Sequence, residues 1–251
     1  MAAGHQRRSP RRAARLLLLA LLAAAGFVAL IALGIWQVER RAWKLDLIAR
    51  VEARVDAAPV AAPGLAQWAS VSEARDGYRR VRLQGRFLHD RETLVQAATV
   101  RGAGFWVLTP MASDRGFTVL VNRGFVPADR KAPGRRAEGQ VAGETVVTGL
   151  MRMSEPKGGF LRTNEPAAER WYSRDVAAIA SARGLGPVAP YFIDADATAN
   201  AGGYPIGGLT VIRFNNNHLG YALTWFGLAA LLALGAGLVV RHELRQGEAE
   251  A

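Results

Sequence analysis

Four histidines and no cysteine restrict this 251-residue chain to a narrow range of metal and nucleophile chemistry. Without thiols it builds no zinc ribbon, thiolate copper site, iron–sulfur cluster, disulfide framework or cysteine nucleophile of its own. Of His5, His89, His218 and His242, the third has the most suggestive surroundings. Tyr221, Ala222 and Trp225 follow it at spacings of three, four and seven, so on a helix the four share one face, with Trp225 about 10 Å further along. An imidazole at headgroup level above an apolar, aromatic-lined groove could bind a planar, greasy cofactor edge-in, and haem is the obvious candidate. Trp36, Gln37, Arg40, Arg41 and Trp43, at the end of another apolar stretch, could supply a second wall and pair the propionates. Tyr and Trp also gather at membrane interfaces as anchors, and spacing alone leaves both readings open.

Other chemistry has little support. The sequence holds no nucleophile elbow, P-loop, paired catalytic carboxylates or H-x-x-x-H ligand pair. Gly202-Gly203-Tyr204-Pro205-Ile206-Gly207-Gly208 lacks the Lys-Ser/Thr of a phosphate loop and reads as a turn, while Asp194 and Asp196 read as solvated loop residues. No catalytic activity is expected.

The elements that must position His218 and its neighbours are two stretches without a charged residue. Leu16 to Val38 is 23 residues, about 34 Å as a helix, and Leu219 to Val240 is 22 residues. Both are long enough to span a bilayer. The first continues a dozen residues past Ala23-Ala24-Ala25-Gly26, longer than a signal-peptide core, so it reads as an uncleaved anchor. Arg7, Arg8, Arg11, Arg12 and Arg15 precede it with no acid among them, which predicts a cytoplasmic N-terminus in a bacterial inner membrane, or a matrix-side one in a mitochondrion; Arg241 and Arg245 agree weakly for the C-terminus. The high net charge of +11 otherwise suggests nucleic-acid binding, but the arginine run abuts a span and no aromatic stacking module accompanies it, so no nucleic-acid partner is expected.

These features divide the chain into a basic cytoplasmic tail (1–15), a first transmembrane helix (16–38), an amphipathic helix and linker (39–63), a periplasmic β-rich domain (64–218), a second transmembrane helix (219–240) and a cytoplasmic tail (241–251). The external stretch 39–218 carries 25 basic against 18 acidic residues, suited to anionic headgroups or an acidic partner. Trp43, Leu47, Val51 and Val55 recur every fourth position, extending the anchor as an amphipathic helix that Ala57 to Pro63 ends.

From Tyr78 the pattern becomes short runs of Val, Leu, Phe and Thr separated by glycines, which predicts strands. They are Tyr78 to Phe87, Thr93 to Val100, Phe105 to Pro110, Phe117 to Asn122, Thr145 to Met151, Trp171 to Tyr172, Pro190 to Asp194 and Leu209 to Phe214. Val81, Leu83, Gly85 and Phe87 alternate with Arg80, Arg82, Gln84 and Arg86, one buried face and one wet. Ser173 is expected to cap a helix containing Val176 and Ile179, and Ala128 to Glu138 to be a mobile basic loop. Small residues at Ala229, Ala233 and Gly237 allow close helix packing. The fold class is therefore an integral membrane protein with two transmembrane α-helices flanking an external, mostly antiparallel β domain, possibly barrel-like.

The motifs together resemble the Surfeit-locus family of cytochrome c oxidase assembly factors over most of the chain. They run from Leu33-Gly34-Ile35-Trp36-Gln37-Val38-Glu39-Arg40-Arg41-Ala42-Trp43-Lys44 through Tyr78-Arg79-Arg80-Val81, Gly85-Arg86-Phe87, Gly104-Phe105-Trp106-Val107-Leu108-Thr109-Pro110 and Val121-Asn122-Arg123-Gly124-Phe125-Val126-Pro127. The closing block is Gly203-Tyr204-Pro205-Ile206-Gly207-Gly208, then Arg213-Phe214-Asn215-Asn216-Asn217-His218-Leu219-Gly220-Tyr221-Ala222-Leu223-Thr224-Trp225-Phe226.

The resemblance implies a bacterial inner-membrane factor that binds haem a transiently and assists its insertion into the large catalytic subunit of cytochrome c oxidase, with haem a synthase a possible further partner. The family's haem-linked histidine matches His218, which would be the axial ligand of the iron, with Tyr221 and Trp225 packing the macrocycle or its farnesyl tail. The alternative is a cofactor-free membrane scaffold that stabilises an oxidase assembly intermediate.

Overall fold

The computed structural model describes residues 10–159, 161–212 and 214–249. His5, Arg7 and Arg8 of the basic tail, and Arg213 of the closing block, lie outside the described residues. The chain forms two compact units, one of residues 1–49 and 213–251, the other of residues 50–212.

The first unit contains the two long helices, α1 (Pro10–Asp56), whose end from Arg50 belongs to the second unit, and α4 (His218–Ala249). Both are long and apolar enough to cross a membrane, over Ala14–Asp56 and His218–Gln246. Their facing surfaces are lined by small side chains. Ala222 and Ala229 of α4 are buried, and Gly34 of α1 lies against the Phe226 ring. With no hydrophobic effect available between helices in lipid, close backbone approach of this kind is what joins them. The buried small residues recur seven apart, whereas Ala233 of the expected Ala229–Ala233–Gly237 stripe is exposed and Gly237 has open space around its Cα. A helix turned toward a single neighbour follows the seven-residue repeat, so a four-residue stripe drifts off the contact face.

The second unit is a β-barrel. Its strands are β1 (Val60–Ala61), β2 (Arg80–Phe87), β3 (Thr93–Thr99), β4 (Gly102–Ser113), β5 (Thr118–Pro127), β6 (Glu144–Met153) and β7 (Val188–Ala195). β2, β6, β7, β5 and β4 pair in turn, and β4 pairs back to β2 through Gly85–Ser113 and Phe87–Met111, closing a five-stranded ring. The ring is antiparallel except at β5–β7. β1 and β3 lie at its margins.

Inside pack Val81, Leu83, Phe87, Met111, Val119, Val121, Val147, Met151, Tyr191 and Ile193. The strict alternation along β2 thus becomes barrel interior against solvent. A second cluster of Val95, Leu108, Leu120, Trp171, Val176, Ile179 and Phe192 seats α3 (Val176–Ala182) on the outside. Each such side chain contributes about 1.5–3 kcal/mol on burial. β5 is buried on both faces for this reason, its apolar stretches Val119–Val121 and Phe125–Val126 flanking buried Asn122 and Arg123.

Several local expectations differ from the structure. β5 does not stop at Asn122: Gly124 takes φ +131°, and the strand continues to pair Phe125 with Ile206, a close approach that a Cβ would block. Asp175, not Ser173, caps α3 by accepting from the Ala178 N–H; the Ser173 hydroxyl instead accepts from Gly158 and Asn164. Trp171 forms only an isolated bridge to Val95, and residues 209–212 and 214 are not strand.

The expected mobile loop is two short 3₁₀ segments, Ala128–Arg130 and Pro133–Gly139, pinned through buried Arg136. A four-residue helix, α2 (Glu73–Asp76), and the 3₁₀ turn Leu65–Ser70 gave no periodic signal at that length. The expected helix after the first span ends at Asp56, before Pro59, and Arg54 donates to the carbonyls of Ala74 and Gly77.

Candidate functional site

His218 opens α4, and its Nδ1 is hydrogen-bonded to Gln37 Oε1 of α1 at 2.7 Å. Gln37 is 8% exposed, so this bond joins the two long helices through a buried polar pair. One turn below Gln37 on α1, Gly34 permits the approach, since a Cβ there would run into the Phe226 ring. Among the described residues Nε2 of His218 has no hydrogen-bond partner. Close by in sequence, Trp225 Nε1 and Asn216 Oδ1 are buried and likewise unpartnered among the described residues.

A leucine at position 34 should push the helices apart by about 2 Å, the spread of interaxial distances that contact side chains impose. Because the chain has no cysteine, spin labels on cysteines introduced at exposed Leu33 and Leu223 would read this distance cleanly. An unchanged distance in Gly34→Leu would show that Gly34 does not set the contact.

The structure brings Gln37, His218 and Ala222 to the helix contact, and Trp225 is half-buried. It does not bring all the expected residues there. Tyr221 is 56% exposed and Trp36 53% exposed. Arg40 is exposed as well, with its guanidinium stacked 4.1 Å from the centroid of Trp43. Tyr221, Trp36 and Arg40 therefore face the surroundings of the helix pair, where aromatic and arginine side chains reach the membrane interface. Arg41 and Lys44 are half-buried, and Lys44 Nζ lies 5.0 Å from the Phe214 ring.

The donor set limits what could be held. No group of three His, Cys, Asp or Glu among the described residues could ligate a bare metal ion. One imidazole nitrogen, with its other nitrogen anchored by a carbonyl, instead fits a metal that arrives with most of its ligands already in place. The unpartnered Trp225 indole N–H fits a group that brings an acceptor.

The barrel holds two buried charge clusters that the sequence did not reveal. Asp194 is a buried core residue rather than a solvated loop one. It accepts from Asn122, Thr210, Arg152 and Arg174 at 2.7–3.1 Å. These side chains line a cavity of about 240 Å³ with Trp106, Leu209 and Val211. Burial pushes the nearby Glu155 carboxyl up, but hydrogen bonds and charge from Arg174 outweigh it and the net shift is downward.

The second cluster contains Arg123, Arg136, Glu92 and His89. Arg136 makes a two-pronged pair with Glu92. Arg123 donates to Gly139 O and Asn200 Oδ1, while its Nη1 is buried without a partner among the described residues. Burial pulls the Arg123 guanidinium down to about 10, Glu92 opposing the drop and Arg136 adding to it.

Burial likewise holds His89 below 6.5, its hydrogen bond to Val141 O opposing and Arg123 reinforcing the shift. The folded chain then binds this proton at lower pH than the unfolded chain. The contribution is present above 6.5 and is lost as pH falls from there through the folded value. His89→Gln should accordingly flatten the fall in melting temperature between pH 7 and 5. An unaltered pH profile in that variant would remove His89 from the account.

Comparison with known proteins places these features in context. The profile of the SURF1 family matches residues 24–230. Surfeit locus protein 1 of Mus musculus is 42% identical over 215 residues, covering 79% of this chain and 68% of its own length. Surfeit locus protein 1 of Homo sapiens is 40% identical over 216 residues, covering 79% and 69%. A SURF1-like protein of Drosophila melanogaster is 35% identical over 218 residues, covering 79% and 69%. The matched span contains Gln37, the whole barrel, His218 and Trp225.

Proposed function

The chain belongs to the SURF1 family, and from that membership we propose that it serves the maturation of cytochrome c oxidase as a membrane-held, transient carrier of haem a. The single observation that carries the carrier reading is the His218–Gln37 pair, an imidazole fixed between two apolar helices with Nε2 left without a partner among the described residues. Haem a, if bound, would supply an iron able to take one further nitrogen ligand from the protein. His218 would hold the iron, and Trp225 would offer an apolar wall and its unsatisfied N–H. Tyr221, Trp36 and Arg40, facing outward, are suited to anchoring at the interface and to meeting whatever approaches the site from outside the helix pair.

One axial imidazole holds haem loosely compared with two, which suits a protein that must release it. No bond is made or broken in the substrate, so no catalytic residue is required. The partners that follow are the large oxidase subunit as receiver, haem a synthase as a source, and the bilayer itself. The arginines before the first span favour a bacterial inner membrane with both termini cytoplasmic and the barrel periplasmic.

The test is an absorption spectrum of the full chain purified in detergent from cells that make haem a. A haem a spectrum with near-stoichiometric pigment is expected. Colourless protein from such cells would overturn the carrier reading in favour of a cofactor-free scaffold.

A further inference from the structure

We propose that Gln37 is a positioning residue that fixes the tautomer of His218, so that Nε2 is the atom offered to a metal; this rests on the haem-carrier reading of the same site. A neutral imidazole has one N–H and one lone pair, and the neighbour of each nitrogen decides which is which. A carbonyl oxygen can only accept. With Gln37 Oε1 at 2.7 Å, Nδ1 must carry the hydrogen and Nε2 the lone pair. Free neutral histidine side chains favour the opposite form, with hydrogen on Nε2 and no lone pair there for a metal.

Burial makes the choice stringent. Gln37 is 8% exposed, and a buried polar atom left without its partner costs about 1–3 kcal/mol, more than enough to reverse the intrinsic preference of the ring. The two residues are 181 positions apart in the chain, so the preference exists only while the two helices are together. Were the Gln37 amide reversed, its NH₂ would donate to Nδ1, the hydrogen would move to Nε2, and the ring could not ligate through that atom. The position therefore demands an acceptor, which a glutamine or a glutamate supplies and a leucine does not.

The experiment uses full-length protein in lipid nanodiscs with ¹⁵N-labelled histidine, read first without haem. Wild type should show His218 with hydrogen on Nδ1, its signals assigned by their loss in His218→Gln. Gln37→Glu should keep that form, and Gln37→Leu should shift the ring to the Nε2–H form. Hydrogen on Nε2 in wild type, or an unchanged ring in Gln37→Leu, would overturn the proposal.

A second arm loads haem a. Gln37→Leu should bind roughly 10–100-fold more weakly, the usual cost of losing an outer-shell partner. It should also shift the iron–histidine stretching band in resonance Raman, while Gln37→Glu retains affinity. Equal affinity and an identical band in Gln37→Leu would also overturn it. If wild type takes up no haem a at all, the carrier reading fails, and the unloaded tautomer measurement still decides the role of Gln37.

Discussion

An H218A variant should insert and fold as wild type yet emerge from haem a-producing cells without pigment. Among the described residues the ring provides the one imidazole at the helix contact, since His89 lies in the barrel and His242 near the opposite end of α4. Loss of a directly ligating side chain should cost more than the roughly 10–100-fold typical of an outer-shell partner. The structural cost falls elsewhere. Gln37 loses its donor and its buried carbonyl goes unpaired, about 1–3 kcal/mol unless water enters. The barrel makes none of its internal contacts through position 218, so its melting temperature in the purified protein should not move. Pigment at wild-type levels in H218A would end the ligand assignment, and a barrel that melts early would show that the loss of haem is a folding defect.

The second large effect is expected at Glu92, far from any haem chemistry. Its side chain is 6% exposed and that of Arg136 only 1%. Arg123, also buried, draws on the same carboxylate for charge balance. E92A would leave two buried guanidinium groups without the carboxylate that balances them, a change that costs about 3–5 kcal/mol in comparable buried pairs. For a domain of this size that corresponds to a fall in melting temperature on the order of 10 °C.

Because Arg136 holds the Pro133–Gly139 turn and Arg123 ties Gly139 to Asn200, protease cleavage near residues 131–139 should accelerate before global melting. Replacing Glu92 and Arg136 together by leucine should cost less than E92A alone. Equal losses in the single and double variants would mean that the pair is not the source of the effect.

Architecture was legible in the sequence wherever burial imposed a period. The charge-free runs ending at Val38 and Val240 gave both long helices, and alternation in Arg80–Phe87 gave β2 to its last residue. Failures came where a residue's partner lies far away in the chain. Asp194 looked like a solvated carboxylate because Asn122, Arg152, Arg174 and Thr210 converge on it only after β5, β6 and β7 pair. Arg136 looked like part of a basic loop because Glu92 is 44 residues earlier. Arg123-Gly124 read as the end of a strand, since a glycine at positive φ can either break a strand or bend it.

At the helix pair, type and spacing marked His218 and Trp225, whereas the hydrogen bond from His218 to Gln37 required knowing which faces of two distant helices meet. Helical spacing alone could not separate Tyr221 from Trp225, three and seven residues along the same helix. Their exposure differs because the facing helix covers a narrower arc than an aromatic stripe suggests.

The parallel seam between β5 and β7 has a consequence for how the protein is made. Among the described residues β7 is the only strand that joins β5 to β6, and it begins at Val188 after an excursion of 60 residues from Pro127. A nascent chain made only as far as Met153 therefore presents two raw sheet edges at once, and no local rearrangement can seal them. Closure waits for nearly the entire domain to be synthesised. Premature termination anywhere between these strands should yield an aggregate rather than a shortened but soluble fragment, and any helper that shields open sheet edges would act in that interval.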